Sequence, residues 1–349
     1  MMKSLLTFSF PQLPEKETEA VLLSCNTIRD FQIKIIYPAV EHILQKSSEG
    51  CTTSGFEKLQ PGTAYLFFSN HRDIVLDTTL LNYSLLKNGL ILTASAIGDN
   101  LVQEPFLSAL AQLNRNFLIQ RGLSPRERLL SSILVSEYIR HLVLRNNRSV
   151  WIAQREGRTK NGDDKTQQGV LKMLALAGGD KKPWDYLREL NIVPVTISYE
   201  LDPTDTLKLP ELMAKHYDMA YTKSQDEDFN TILEGVIGQK KRIHIAVGDV
   251  LHGEPDEIAD SVPVNQQFQN LADKIDEEIN ANYKLWPSNY IAYDLLHETR
   301  RYSAHYSEAE KSAFQRRMEE RTGKNGALVK RTFLAMYANP VVNKQKIHV

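Results

Sequence analysis

The stretch Thr63-Ala64-Tyr65-Leu66-Phe67-Phe68-Ser69-Asn70-His71 decides the reading of this chain. Its first six residues are β-branched, aromatic and apolar, which suits a strand buried on both faces, and the run stops abruptly at a polar triplet. The preceding Pro61-Gly62 marks a turn. A histidine is therefore delivered at the end of a buried strand. Working outward, further short apolar runs occur at Leu90 to Ala96, Phe117 to Ile119, Ser149 to Ala153, Ile192 to Ser198 and Ile243 to Val247. Helical or loop-like sequence separates them. That alternation predicts an α/β fold with a mixed, largely parallel sheet flanked by helices. One crossover helix announces its own start: Ser124-Pro125-Arg126-Glu127 has capping-box spacing with proline at the first helical position, leading into Leu129, Leu130, Ile133, Leu134 and Tyr138.

The flanks read as helical additions. Residues 15–46 carry apolar positions at helical spacing, including Ile28, Phe31, Ile35, Val40 and Ile43, and Pro38 predicts a kink between two pieces. Ser47 to Gly55 is polar and contains glycine, so it reads as a loop. After about residue 255 the pattern is helical only: one helix around Phe268 to Tyr283, another after Pro287-Ser288, and a third opening at Ser307 with Glu310 as its capping partner and Gly323 just past its end. The expected organisation is an N-terminal helical lead-in at 1–55, a central α/β domain at 56–258 and a C-terminal helical extension at 259–349.

Composition narrows the function. Lys and Arg total 42 against 43 for Asp and Glu, a net charge of −1 in 349 residues, so there is no global attraction to nucleic acid or to an anionic bilayer. Any anion site must be local. Cys25 and Cys51 have no metal-ligand spacing and fit a reducing, cytoplasmic setting. The N-terminus lacks the long apolar segment and cleavage site of a signal peptide, and no window approaches the ~18 apolar residues of a spanning helix. Neither a Gly-x-Ser-x-Gly elbow nor a Gly-x-Gly-x-x-Gly or P-loop signature occurs.

Three strand ends carry the chemistry. The first is Asn70-His71-Arg72-Asp73-Ile74-Val75-Leu76-Asp77, where a histidine lies close to two carboxylates. Imidazole is a suitable base near neutral pH when a carboxylate orients it, but a turn histidine with Asp73 as a helix cap reads the same residues equally well. The second, Phe117-Leu118-Ile119-Gln120-Arg121-Gly122, ends in an arginine. The third is Trp151-Ile152-Ala153-Gln154-Arg155-Glu156-Gly157-Arg158-Thr159-Lys160, where glycine permits close backbone approach and Arg158 and Lys160 suit an anion. Taken alone it reads first as a solvated turn. Open α/β sheets bind ligands beyond the carboxyl ends of their strands, which gives the three ends a joint meaning. Arg115 is a weaker anion candidate.

The order Asn-His-Arg-x-x-x-x-Asp, then a strand ending in Arg121, then Glu156-Gly157-Arg158-Thr159, then Ile192-Val193-Pro194-Val195-Thr196-Ile197 resembles the four blocks of the glycerolipid acyltransferase family, which includes glycerol-3-phosphate and 1-acylglycerol-3-phosphate acyltransferases. The resemblance covers roughly residues 60 to 255. It implies His71 as general base, Arg121 and the block Glu156, Gly157, Arg158, with Thr159 and Lys160 after it, as binders of the acceptor's phosphate, and Pro194 as part of a pocket wall. Lys165 and Gly169 resemble a continuation found in some members. The family's aspartate follows its histidine by four intervening residues, whereas Leu76 occupies that position here. Asp77, which precedes an apolar helix as the family's aspartate does, is the expected partner, with Asp73 the alternative. Because 71 and 77 would lie on different faces of a regular helix, contact requires the His71 end to be non-helical. Gln154-Arg155 also departs from the family's aromatic and proline residues.

The resemblance implies transfer of a fatty acyl group from acyl-CoA or acyl carrier protein to a hydroxyl of glycerol-3-phosphate or lysophosphatidate in phospholipid biosynthesis, with no metal or other cofactor. Backbone N–H groups at the start of the helix after His71 are expected to hold the oxyanion. Two alternatives are an O-acyltransferase for an amino-acid lipid and an inactive lipid-binding relative. Such a substrate implies a protein peripheral on the cytoplasmic face of a membrane. Candidate contact faces are Ile28 to Leu44 and Trp286 to Tyr293, though the aromatics of the second, Trp286, Tyr290 and Tyr293, are expected to pack the C-terminal helices onto the core.

Overall fold

In the computed structural model, which describes residues 6, 7, 9–252, 262–323 and 326–347, the decisive run ends in the strand Leu66–Ser69, with every residue buried. Along the chain, helices α1 (Glu15–Leu23), α2 (Ile28–Phe31) and α3 (Tyr37–Ser47) lead into β1 (Ser48–Ser54). Then follow β2 (Leu66–Ser69), α4 (Leu76–Lys87), β3 (Thr93–Gly98), α5 (Pro105–Leu113), β4 (Asn116–Ile119), α6 (Pro125–Arg140) and β5 (Ser149–Ala153). After them come α7 (Gln168–Ala175), α8 (Pro183–Glu189), β6 (Ile192–Tyr199), α9 (Asp205–His216), α10 (Glu227–Ile237) and β7 (Lys241–Val247). Four helices close the chain: α11 (Val264–Asn282), α12 (Pro287–Leu296), α13 (Glu308–Thr322) and α14 (Ala327–Lys346).

Among the described residues the sheet has seven strands in the order β1-β7-β6-β2-β5-β3-β4. β2 lies between β5 and β6, parallel to both, with Phe68 opposite Ile152 and Pro194. The β6–β7 pair is antiparallel, and the other neighbouring pairs are parallel. β2, β3, β4, β5 and β6 therefore point their carboxyl ends to one edge, and the three chemistry-bearing strand ends share it.

Alternation along β2 divides the core. Leu66 and Phe68 join the cluster covered by α6, α7, α8 and α11, while Phe67 joins the one covered by α3 and α4. A third cluster, including Leu209, Ile291, Phe314 and Phe333, binds α12, α13 and α14 to α9.

All six runs expected as strands form strands, and the fold is the expected mixed, largely parallel α/β sheet flanked by helices. The capping boxes at Ser124 with Glu127 and at Ser307 with Glu310 both form, and Gly323 follows α13. Pro38 lies just after a π-helical turn at Gln32–Ile36 in a continuous helical run, and the irregularity therefore precedes the proline. Ser47 to Gly55 differs from its loop reading. Most of it is the edge strand β1, held through backbone pairing with β7 and through Thr52 and Ser54 hydroxyls on His244 (2.8 and 3.0 Å), so it needs no apolar pattern. The expected boundary at 258/259 lies outside the described residues. Both candidate membrane faces are turned inward: Phe31, Ile35, Val40 and Ile43 are buried, as are Trp286 and Ile291, and Tyr290 stacks on His305.

Candidate active site

β2 ends one residue before its neighbour β6 has been satisfied, and Asn70 fills the gap. Its side chain accepts from the Ile197 N–H (2.8 Å) and donates to the Ile197 carbonyl (3.0 Å), standing in for a strand peptide while the backbone turns away. The turn carries His71. Its carbonyl accepts from Thr159 N–H (2.9 Å), which ties the loop after β2 to the loop after β5. Its ring stands edge-on to Trp151, with centroids 5.2 Å apart, and the Trp151 indole donates to Ser69 Oγ (2.8 Å).

The imidazole Nδ1 lies 2.8 Å from Asp77 Oδ2. Asp77, in the first turn of α4, also accepts from the backbone N–H groups of Arg72 (2.6 Å) and Asp73 (3.0 Å), and its second oxygen accepts from the Tyr199 hydroxyl (2.9 Å). A carboxylate surrounded by donors is acceptor-only, so Nδ1 carries the ring proton and Nε2 keeps its lone pair. Burial and the Asp77 charge hold the Tyr199 phenol well above its usual range, so it stays a donor. Asp73 plays another part. Its Oδ1 accepts from the N–H groups of Val75 (2.9 Å) and Leu76 (2.8 Å) at the start of α4, while Oδ2 is buried without a partner against Gly235. Burial, then the neighbouring Asp77 charge, raises its pKa.

The N–H groups of Arg72, Asp73, Val75 and Leu76 are engaged by Asp77 and Asp73, which narrows the donors expected for an oxyanion at the start of α4.

The anion candidates separate. Arg121 and Glu156 meet as an ion pair across the strand ends, both substantially exposed. Gly157 has φ of 71°, the left-handed turn that lets the chain double back after Glu156. Arg158 is partly buried, leaves Nη1 without a partner, and its charge acts on both Asp73 and Lys208. Thr159 is buried beside the His71 carbonyl. Lys160 turns to Glu211 on α9, with Tyr221 under its ammonium. Pro194 is a buried strand residue at the level of Phe68. Lys165 pairs with Asp163 (3.3 Å), and Gly169 has open space where a side chain would stand. Arg115 is partly buried at φ 59°, and burial lowers its pKa.

Sequence reasoning missed four contributors. Tyr199 ends a strand buried along its whole length, and a phenol there needs a partner; that was its only signal. Asn70 and Trp151 were visible without their roles. Asp164, bonded to the buried Arg72 (2.5 Å), had no signal at all.

Residues 51–198, the segment holding His71, Asp77, Arg121 and the 156–158 block, match the acyltransferase family model. The chain carries an acyltransferase domain. The match is to the acyltransferase family as a whole. No curated protein matches it. Among solved structures, the crystal structure of the 1-acyl-sn-glycerophosphate acyltransferase PlsC from Thermotoga maritima is similar over 81% of this chain and 98% of that one, with 12% identity and a TM-score of 0.40. Among the described residues, no helix is long and apolar enough to cross a membrane.

Proposed function

We propose that this acyltransferase moves a fatty acyl group from the thioester of acyl-CoA or acyl carrier protein to a hydroxyl of glycerol-3-phosphate or lysophosphatidate. The observation that carries the reading is the His71–Asp77 contact at a strand end, with Nε2 left as the free base. The acceptor's phosphate docks on Arg158, whose Nη1 has no protein partner, and on Arg121, which exchanges the Glu156 carboxylate for it. His71 Nε2 takes the hydroxyl proton as the oxygen attacks the thioester carbonyl, forming a tetrahedral oxyanion. Collapse breaks the carbon–sulfur bond, and the departing thiolate takes the proton back from the imidazolium. Asp77 supports that transient cation and fixes the ring. The scheme calls for no metal or redox cofactor. The lipid product places the protein at the cytoplasmic face of a membrane.

A specific observation also favours an amino-acid lipid as acceptor: Arg121 is already held by a carboxylate, so this position suits a carboxylate head group as well as a phosphate. An inactive relative loses its motive, because the shifted aspartate reaches His71 after all.

The test presents acyl-CoA and acyl carrier protein donors to glycerol-3-phosphate, lysophosphatidate and an acylated amino acid. Turnover is expected with one of the phosphate acceptors and to fall to background in His71→Ala. Undiminished turnover in that variant sinks the mechanism; preference for the acylated amino acid transfers the assignment to the second acceptor.

A further inference from the structure

α6 buries Val135, Ser136 and Ile139 against the sheet, yet its opposite face is not polar. Leu129, Leu130, Ile133, Leu134 and Tyr138 are between 39% and 71% exposed, and they recur at spacings that place them on one side of the helix. Leu118, on the edge strand β4 beside it, is 49% exposed. Exposed apolar side chains scattered singly need no explanation, but a continuous stripe along a four-turn helix does.

Charge says what covers it. From Arg115 to Arg148 the chain has seven arginines, two glutamates and neither lysine nor aspartate, in a protein whose net charge is −1; Arg115 and Arg148 are partly buried and Arg121 faces Glu156, while Arg126, Arg128 and Arg145 are exposed. Both glutamates are engaged locally, Glu127 with the capping hydroxyl of Ser124 and Glu137 with Arg140 (3.3 Å). An apolar stripe flanked by arginines is complementary to a surface with hydrocarbon below and negative charge above. α6 also begins just after β4, so its first turn lies at the sheet edge that carries His71 and Arg121.

We infer that the outer face of α6, with Leu118, docks the enzyme on an anionic phospholipid bilayer, its axis in the membrane plane and its first turn bringing the site to the acceptor. The inference rests on the lipid acceptor of the proposed function. The attachment is local and electrostatic in part, which a nearly neutral chain achieves by concentrating its arginines.

Flotation of the full-length protein with vesicles tests it. Vesicles containing phosphatidylglycerol are expected to carry the protein, and phosphatidylcholine vesicles to carry far less. Leu130→Glu with Leu134→Glu abolishes flotation, and both sites are open enough for the fold to survive, as circular dichroism checks. Arg126→Gln with Arg128→Gln weakens binding roughly thirtyfold, and raised salt acts the same way. Transfer to a water-soluble short-chain acceptor stays at the wild-type rate in all these variants, so loss of docking is separable from loss of the activity itself. Wild-type protein that ignores anionic vesicles, or variants that float as well as wild type, overturn the inference. So does a dimer that Leu130→Glu with Leu134→Glu converts to monomer without vesicles, or capture by acyl carrier protein alone.

Discussion

Asp77 and Asp73 stand four residues apart and differ in what their oxygens hold. Asp77 takes the imidazole, two backbone N–H groups and the Tyr199 hydroxyl; Asp73 caps α4. Their amide variants should therefore part widely. Asp77→Asn offers an amide where Nδ1 needs an acceptor and disturbs the tautomer, so kcat is expected to fall by roughly 10³–10⁴-fold. Asp73→Asn keeps a capping oxygen and replaces a carboxyl already biased toward its neutral form, so kcat stays within about threefold. Tyr199→Phe removes one donor to Asp77 and lowers kcat about ten- to a hundredfold with the acceptor KM unchanged. Steady-state kinetics on the three variants checks this, and equal losses for Asp73→Asn and Asp77→Asn refute the division of roles. The spacing of His71 and the two aspartates left their pairing open, because it depends on residues 71 to 75 leaving the sheet without helical geometry.

At the scale of elements, α10 and α11 press on the site from opposite sides of the sheet. A methyl group at Gly235 on α10 would stand 2.3 Å from Asp73 Oδ2. Gly235→Ala thus forces the helix or the capped loop aside, and it should cost about 1–3 kcal/mol of stability and reduce transfer together. Urea denaturation and an activity assay on the same preparation read both. On α11, burial raises the Asp276 carboxyl from 3.8 to about 6, although it accepts from both Thr166 N–H (2.8 Å) and Thr166 Oγ1 (2.6 Å). Between those values the folded state holds a proton that the unfolded chain has released, so stability falls as pH rises from about 4 to 6 and stays reduced above. Asp276→Asn retains an acceptor for Thr166 and should stabilise the protein at pH 7.5 by about 1–2 kcal/mol, allowing for partial solvation, and by nothing near pH 4. Thermal unfolding across that pH range decides it; a constant difference between wild type and variant means the effect is not titration. Helices and strands themselves were legible, since capping boxes and apolar runs are local. The edge strand β1 was not, because pairing on one side asks nothing of side-chain pattern.

For the whole molecule, the C-terminal helices are bound into the site rather than appended to it. Asn339 on α14 donates to the Asn161 carbonyl (2.8 Å), and Gly162 lies so close to Met336 that a Cβ there would meet its carbonyl at 2.2 Å. The same loop carries Glu156, Arg158 and Thr159 toward His71. Asn339→Ala should lower stability by about 1 kcal/mol and raise the acceptor KM more than it lowers kcat, because it loosens the loop proposed to hold the acceptor's phosphate and leaves the His71–Asp77 pair intact. Kinetics that show only a kcat loss contradict that coupling. Sequence alone determined the α/β class, the strands that end in His71, Arg121 and Glu156-Gly157-Arg158, and the capped helices between them, since hydrophobic period and capping chemistry act over a few residues. Tertiary structure alone decided that Asp77 rather than Asp73 bonds His71, that Tyr199 reaches Asp77 from β6, that Lys160 pairs with Glu211, and that α14 braces the loop after β5. Those are contacts between residues far apart in the chain or outside regular helix geometry, and only the packing of the sheet and its covering helices brings them within hydrogen-bond reach.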